Sequence, residues 1–279
     1  MSVLSKRSRR VGGRQTKGPR VPVRRDRRGE ARIHSPASWH GKLFLWGGSG
    51  LYLGPAFATT LHAHHALQVC IGIDAPLRLR TGADTAWRAF RGAVVISDQA
   101  HQLDGLGKTV ALLYLDPESM AARRVAPLHP RSGICPVPKR TVDALVQQVT
   151  RLGETEPTVR LAEELVRALA PDGSTPAPLD RRVASALDLL RRAPDRRMQL
   201  PELAAAVGLS PSRLAHLFKT HTGLAIRRYL LWLRLGDALR QLARGVSLTT
   251  AAHAAGFADS AHFSRTFRGM LGITPSALR

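Results

Sequence analysis

Several things are scarce in this chain, and each shortage removes a class of protein. Cys70 and Cys135 are its only cysteines in 279 residues, and they are not spaced as a CxxC pair. Neither a disulfide framework nor a zinc cluster is therefore indicated, and a reducing cytoplasm is the expected compartment. The same count argues against an alkyl-transfer repair protein, which needs reactive cysteines in a metal cluster. Long apolar stretches are missing too. No window approaches the roughly 18 apolar residues of a membrane span, and no apolar core of a signal peptide follows the basic start. No nucleophile or general base with supporting neighbours is visible, which argues against an enzyme.

Acidic residues are the remaining scarcity. Forty-two Lys and Arg stand against 20 Asp and Glu, a net charge of +22. The excess sits at the ends: residues 1–32 hold 12 basic against 2 acidic side chains, 33–179 hold 14 against 12, and 180–279 hold 16 against 6. A basic end attracts phosphate, whereas a nearly neutral middle needs another role. Residues 1–32, with "KRSRR" and "PVRRDRRGEAR", lack apolar periodicity and read as a disordered basic tail.

What is present in abundance is one pattern, written twice. "LPELAAAVGLSPSRLAHLFKTHTG" (200–223) and "LTTAAHAAGFADSAHFSRTFRGMLG" (248–272) each read as a short helix, a turn with Gly208 or Gly256, and a second helix. That is the layout of a helix-turn-helix, and two copies in register make it specific. Ser210 is placed to cap the second helix of the first copy, with Pro211 at its first position. Helical spacing then turns Leu214, Leu217 and Phe218 inward and Ser212, Ala215, His216 and Lys219 outward. In the second copy Asp259 or Ser260 caps, Phe263, Thr266, Phe267 and Met270 face inward, and Ala261, Ser264, Arg265 and Arg268 face outward, flanked by Ser260 and His262. A helix from Ile226 to Arg244 joins the copies and spaces them by about 28 Å, close to one turn of B-DNA.

These residues resemble the DNA-binding domain of the AraC/XylS family of bacterial transcription regulators. The resemblance covers about residues 180–279 and rests on "LSPSRLAHLFKTHTG", "RLGDALRQLARG", "GFADSAHFSRTFR" and "GITPSALR". It implies that Ser212, Ala215 and His216 in the first recognition helix, and Ser260, Ala261, His262 and Arg265 in the second, read bases. Arg213, Lys219 and Arg268 complete the expected DNA-binding set. Ala251 and Leu278 depart from the family pattern, where a larger aliphatic and an aromatic are usual.

The middle reads differently. Between Lys42 and Leu115 short apolar runs ("KLFLW", "GLYLG", "LQVCIGI", "PLRLR", "AVVIS", "VALLYL") are broken by Gly, Asp and Pro, the punctuation of a β-sandwich or barrel. Leu77 and Leu79 alternate with Arg78 and Arg80, as in a half-buried strand. Amphipathic helices follow at Thr141–Leu152 and Thr158–Leu169, and "PDGSTPAP" reads as a linker. This block is similar to the cupin-type effector domain of many AraC-family regulators, through "LHAHHALQVCIG" and "AVVISDQAHQL". His62, His64, Gln68 and His101 occupy positions similar to the ligands of metal-bearing cupins. The carboxylate usual in such sites is missing, so a metal-free pocket for a small organic effector, or an unliganded core, is expected, with no metal and no cofactor.

The expected architecture is therefore α+β. It comprises a basic tail (1–32), a cupin-like β domain with trailing helices for effector binding or dimerisation (33–170), a linker (171–179) and an all-α double helix-turn-helix domain (180–279) able to fold alone. The expected function is sequence-specific transcription regulation under small-molecule control. Double-stranded DNA is the main partner, a homodimer and RNA polymerase are further ones, and no membrane is involved. The alternative is a metal-dependent cupin enzyme, acting through His62, His64 and His101, fused to a DNA-binding domain. A general nucleoid binder would not need two shaped recognition helices.

Overall fold

The apolar runs between Lys42 and Leu115 become strands of two antiparallel sheets in the computed structural model, which describes residues 39–128, 133–152, 159–170, 178–193 and 198–278. The expected tail at 1–32 and most of the expected linker lie outside the described residues. The strands are β1 (Lys42–Trp46), β2 (Ser49–Pro55), β3 (Leu67–Gly72), β4 (Leu77–Arg80), β5 (Arg88–Phe90), β6 (Gly92–Val95), β7 (Gln102–Asp104), β8 (Thr109–Leu115) and β9 (Ile134–Pro136). One sheet runs in the order β1-β2-β8-β3-β6-β9 and the other in the order β5-β4-β7. Strand β4 keeps the expected alternation, with Leu77 and Leu79 buried and Arg78 and Arg80 less so.

The large sheet explains why most of its strands read as unbroken apolar runs: both of its faces are covered. Leu67, Val69 and Ile71 of β3 join Ala111, Leu113 and Leu115 of β8 on one face. There they meet α1 (Met120–Val125), α2 (Lys139–Leu152) and α3 (Val159–Leu169). The intervening Cys70, Val110 and Leu112 point the other way, to Leu77, Leu79 and Leu103 of the small sheet. That second face also carries Gln68, which brings a polar amide into the interior of the sandwich.

The carboxy-terminal part is helical: α4 (Arg181–Arg192), α5 (Leu200–Ala206), α6 (Pro211–Thr222), α7 (Ile226–Ala243), α8 (Leu248–Ala254) and α9 (Ser260–Leu271). Local chemistry sets the ends of the two recognition helices. The Ser210 side chain accepts from Arg213 N at the start of α6, and Asp259 from His262 N at the start of α9. Both helices end on a left-handed glycine, Gly223 at φ 78° and Gly272 at φ 73°. Such a cap suits glycine because it carries no Cβ. Helix α7 belongs to two cores at once. Ile226, Tyr229 and Leu233 pack with Leu214 and Phe218, whereas Leu235 and Ala238 pack with Phe263 and Phe267. Ala251 is fully buried, and Leu278 pairs with Trp39 in a parallel bridge, so both family departures sit in packed positions.

Charged groups tie the helical part to the sandwich. Arg191 of α4 donates to Asp116 just beyond β8 at 2.8 Å and lies 3.9 Å from Glu118. Glu118 takes Nε2 of His65 at 2.9 Å, while Asp98 takes its Nδ1 at 3.2 Å. Burial alone would lower His65, but hydrogen bonds to Asp98 and Glu118, and their charges, raise it to about 9. Burial, with the adjoining Glu118 carboxyl, lifts Asp116 from 3.8 to about 7 against the pull of Arg191. Asp98 holds its carboxylate in place from a left-handed backbone, φ 61°, which Asp tolerates better than most residues.

Two outcomes follow. Phe263 is fully buried, so Phe263→Ala is expected to cost about 3–5 kcal/mol in urea unfolding; a loss under about 1 kcal/mol would show that the second core collapses around the gap. Because Asp116 is raised on folding, the folded state binds the extra proton between pH 3.8 and about 7, and stability falls as pH rises through that window. Asp116→Asn should remove that component, giving a flatter profile of unfolding free energy against pH; an unchanged slope would assign it to another group.

Candidate functional sites

The outward faces of α6 and α9 are polar and basic. Ser212, Arg213, His216 and Lys219 on α6 are exposed, and Ala215 is half-buried. On α9 Ala261, Arg265 and Arg268 are exposed and Ser260 is half-buried. His262 is also half-buried, its ring edge-on to Phe257 at 5.3 Å. Its position is thus fixed by an aromatic neighbour. Helix α7 holds the two motifs apart over 18 residues, or about 27 Å at 1.5 Å per residue, one residue shorter than expected because Arg244 caps it. In motifs of this layout the side chains near the start of the second helix are the ones that reach base edges.

The four polar residues expected in the sandwich do converge. The His62 and His101 rings lie 4.2 Å apart, and His64 lies 5.1 Å from His101, centroid to centroid. One nitrogen of each falls within 4.8 Å of the others. Gln68 closes the group, its Oε1 at 3.1 Å from His64 Nε2 and 3.0 Å from His101 Nε2. Its Nε2 donates to the Tyr114 hydroxyl at 3.1 Å. Burial and the proximity of His64 lower His62 to about 4. His64 is lowered by burial, and His101 by burial and by both neighbouring rings. All three imidazoles are therefore neutral at physiological pH.

The path to that convergence differs from expectation. Alternation along one strand would have placed His62, His64 and Gln68 on a common face, yet only Gln68 lies on a strand, and His62 is joined to His101 by an isolated bridge. The ladder breaks because backbone donors in this stretch go elsewhere. Thr60 N donates to Gly272 O at 2.8 Å, and Ala63 N to Gly269 O at 3.3 Å. The last-turn carbonyls of α9 lack helical partners, and this segment supplies them. Gly272 is packed so closely that a Cβ there would stand 2.5 Å from His62 Nδ1.

Beside the cluster is a cavity of about 440 Å³, lined on one side by Trp39, Tyr52 and Tyr114 and on the other by Trp232, Gly236 and Leu271. Its size and mainly apolar lining suit a small organic molecule. None of the four cluster residues lines it, but Tyr114 and Trp232 separate it from His64, at 5.3 and 6.4 Å between rings. The sequence reading missed this cavity, as it missed His65, Asp116 and Arg191. Only the third histidine of "HAHH" hinted at the charged group.

Comparison with known proteins agrees with this geometry. Residues 203–279 match the helix-turn-helix domain family. The HTH-type transcriptional activator RhaS of Pectobacterium carotovorum is 48% identical over 71 residues, 25% of each chain. A putative AraC-like transcription regulator of Streptomyces antibioticus is 37% identical over 98 residues, 35% of this chain and 32% of that one. The chain thus spans about a quarter to a third of the length of these curated relatives. Among solved structures, an apo variant of ToxT from Vibrio cholerae superposes with a TM-score of 0.59 over 83% of this chain and 96% of that one. At 12% identity that likeness concerns the fold. With two capped helices of the second position on one connecting helix, and with the family match at residues 203–279, the carboxy-terminal part of the chain is a helix-turn-helix domain similar to those of AraC-like transcription regulators.

Proposed function

We propose that this protein is a sequence-specific DNA-binding transcription regulator controlled by a small molecule sensed in its β-rich part. The observation that carries the reading is the pair of polar, basic helix faces on α6 and α9, joined by the 18-residue α7, which is itself about 27 Å long. In this reading Ser212, Ala215, His216, Ser260, Ala261, His262 and Arg265 meet base edges, while Arg213, Lys219 and Arg268 meet phosphates. The relatives matched are named as transcription regulators, which favours a regulator over a cupin enzyme. A cytoplasmic setting, a homodimer and contact with RNA polymerase belong to the same proposal. No helix among the described residues is long and apolar enough to cross a membrane.

The small molecule has two sites to act on, the cavity and the histidine group behind it. ToxT has been solved with a bound unsaturated fatty acid. An apolar occupant suits the cavity of this chain as well, since aromatic and aliphatic side chains dominate its walls. A ligand there touches the sandwich and α7 together, and it shifts their arrangement only by binding two arrangements unequally.

The direct test uses the full chain and an operator selected from random-sequence DNA. His216→Ala and Arg265→Ala are each expected to weaken binding by about 1–3 kcal/mol at their own half of the site, with random DNA bound much as before. Lys219→Ala and Arg268→Ala should weaken both kinds of DNA alike and flatten the salt dependence. Equal losses on operator and random DNA for His216→Ala and Arg265→Ala would overturn the base-reading assignment. For the cavity, Gly236→Leu is expected to abolish Nile red binding and leave operator affinity intact; undiminished dye binding would place the apolar site elsewhere.

A further inference from the structure

The two recognition helices end alike but in different surroundings. Each closes on a left-handed glycine, Gly223 at φ 78° and Gly272 at φ 73°. A Cβ built on Gly223 would meet nothing nearer than Asp98 Oδ2, at 4.0 Å. One built on Gly272 would stand 2.5 Å from His62 Nδ1, 2.7 Å from Thr59 Cβ and 2.8 Å from Thr60 O. The same segment hydrogen-bonds the end of α9. Thr60 gives its backbone N–H and its hydroxyl to Gly272 O, at 2.8 and 3.0 Å, and Ala63 N reaches Gly269 O at 3.3 Å. Among the described residues, no hydrogen bond joins the sandwich to the last turn of α6.

The cores differ in the same sense. Among the described residues the first motif buries twelve apolar side chains, from Val183 to Leu233, and none of them belongs to either core of the sandwich. The second buries seven, and Ala238, Ala252 and Ala255 are three of those. So small a core is marginal by itself. Its bulk is completed by Ile273 and Leu278, which pack against it and against the sandwich core of Tyr52, Cys70 and Leu112 at once. Trp39 N donates to Ala277 O at 2.7 Å and fastens this closing turn to the sandwich.

We propose that Thr60 is a positioning residue for DNA reading by α9, through which the sandwich holds the second recognition helix, and that α6 reads without that support. Thr60 sits at the opposite end of α9 from the turn that carries Ala261 and His262. The helix has 12 residues, about 18 Å, and a tilt of about 5° at its held end displaces the first turn by about 1.6 Å. Hydrogen bonds to base edges do not survive a shift of that size. The second motif is therefore the less autonomous of the two, and a change in the sandwich is felt at one half of the operator. That consequence rests on the DNA-reading function above, whereas the support of α9 does not.

The test compares Gly272→Ala with Gly223→Ala in the full-length chain. Both place a side chain at a left-handed cap, but only the first also pushes into Thr59, Thr60 and His62. Amide hydrogen exchange is read by mass spectrometry on peptides from the two helices. Gly272→Ala is expected to speed exchange in α9 at least about tenfold more than Gly223→Ala speeds it in α6. Comparable acceleration would mean that each helix feels only its own cap strain, and the support would be refuted. Should Gly272→Ala not fold by circular dichroism, Thr60→Val and Thr60→Ser take its place. Loss of the hydroxyl in Thr60→Val is expected to speed exchange in α9 about threefold, with α6 unchanged and Thr60→Ser restoring the wild-type rate; wild-type exchange in Thr60→Val overturns the proposal. Footprinting on the operator selected from random-sequence DNA then reads the positioning role. The same variant should lose protection at the half of the site that Arg265→Ala weakens and keep the half that His216→Ala weakens. Uniform loss, or none, overturns that role. A wild-type chain that selects no operator refutes the DNA reading and the positioning role with it, and the exchange rates still decide whether the sandwich supports α9.

Discussion

Everything functional in this molecule hangs on helix α7 being buried along several sides at once. Tyr229 and Leu233 enter the core of the first helix-turn-helix, Leu235 and Ala238 enter that of the second, and Trp232 lies against His64 of the sandwich. A helix held this way cannot rotate to suit one neighbour without unpacking another, since protein interiors behave as close-packed solids. The separation of the recognition helices and the position of the sandwich are therefore one geometric fact. The cavity is a by-product of the same arrangement, formed where α7 and the first strands meet without filling the space between them.

The polar contacts across this junction differ in kind from the apolar ones. Arg191, Asp116, Glu118, His65 and Asp98 form a chain of charges in which every carboxylate has a cationic neighbour or shares a proton. Arrangements of this sort add little net stability, yet removing one partner is costly. They favour one orientation of the two parts over its near alternatives. The backbone contacts from Thr60 and Ala63 to the end of α9 do the same by direction, because a carbonyl at a helix terminus accepts donors from a narrow range of angles.

How much of this was legible in the sequence depended on the distance over which each cause acts. The caps at Ser210 and Asp259, the glycine turns and the inward Phe218, Phe263 and Phe267 are set by neighbours within a few residues, and the reading placed them correctly. The sandwich was readable from its apolar runs, and β4 from its alternation. The convergence of His62, His64, Gln68 and His101 was anticipated through resemblance, although the strand geometry offered for it was not what occurs. Contacts spanning 75 residues, Arg191 with Asp116, or 212 residues, Thr60 with Gly272, leave no local trace. Neither does a cavity, which exists only where two surfaces fail to match.

Gly236 gives that mismatch a mechanical meaning. It lies in the middle of α7, where glycine costs about 1 kcal/mol relative to alanine, and it faces the cavity with no side chain to fill it. The helix that joins the two helix-turn-helix motifs therefore has its least helix-favouring residue where it borders this cavity, so the intrinsic helix propensity of α7 is lowest at the point where packing against a neighbour is also missing.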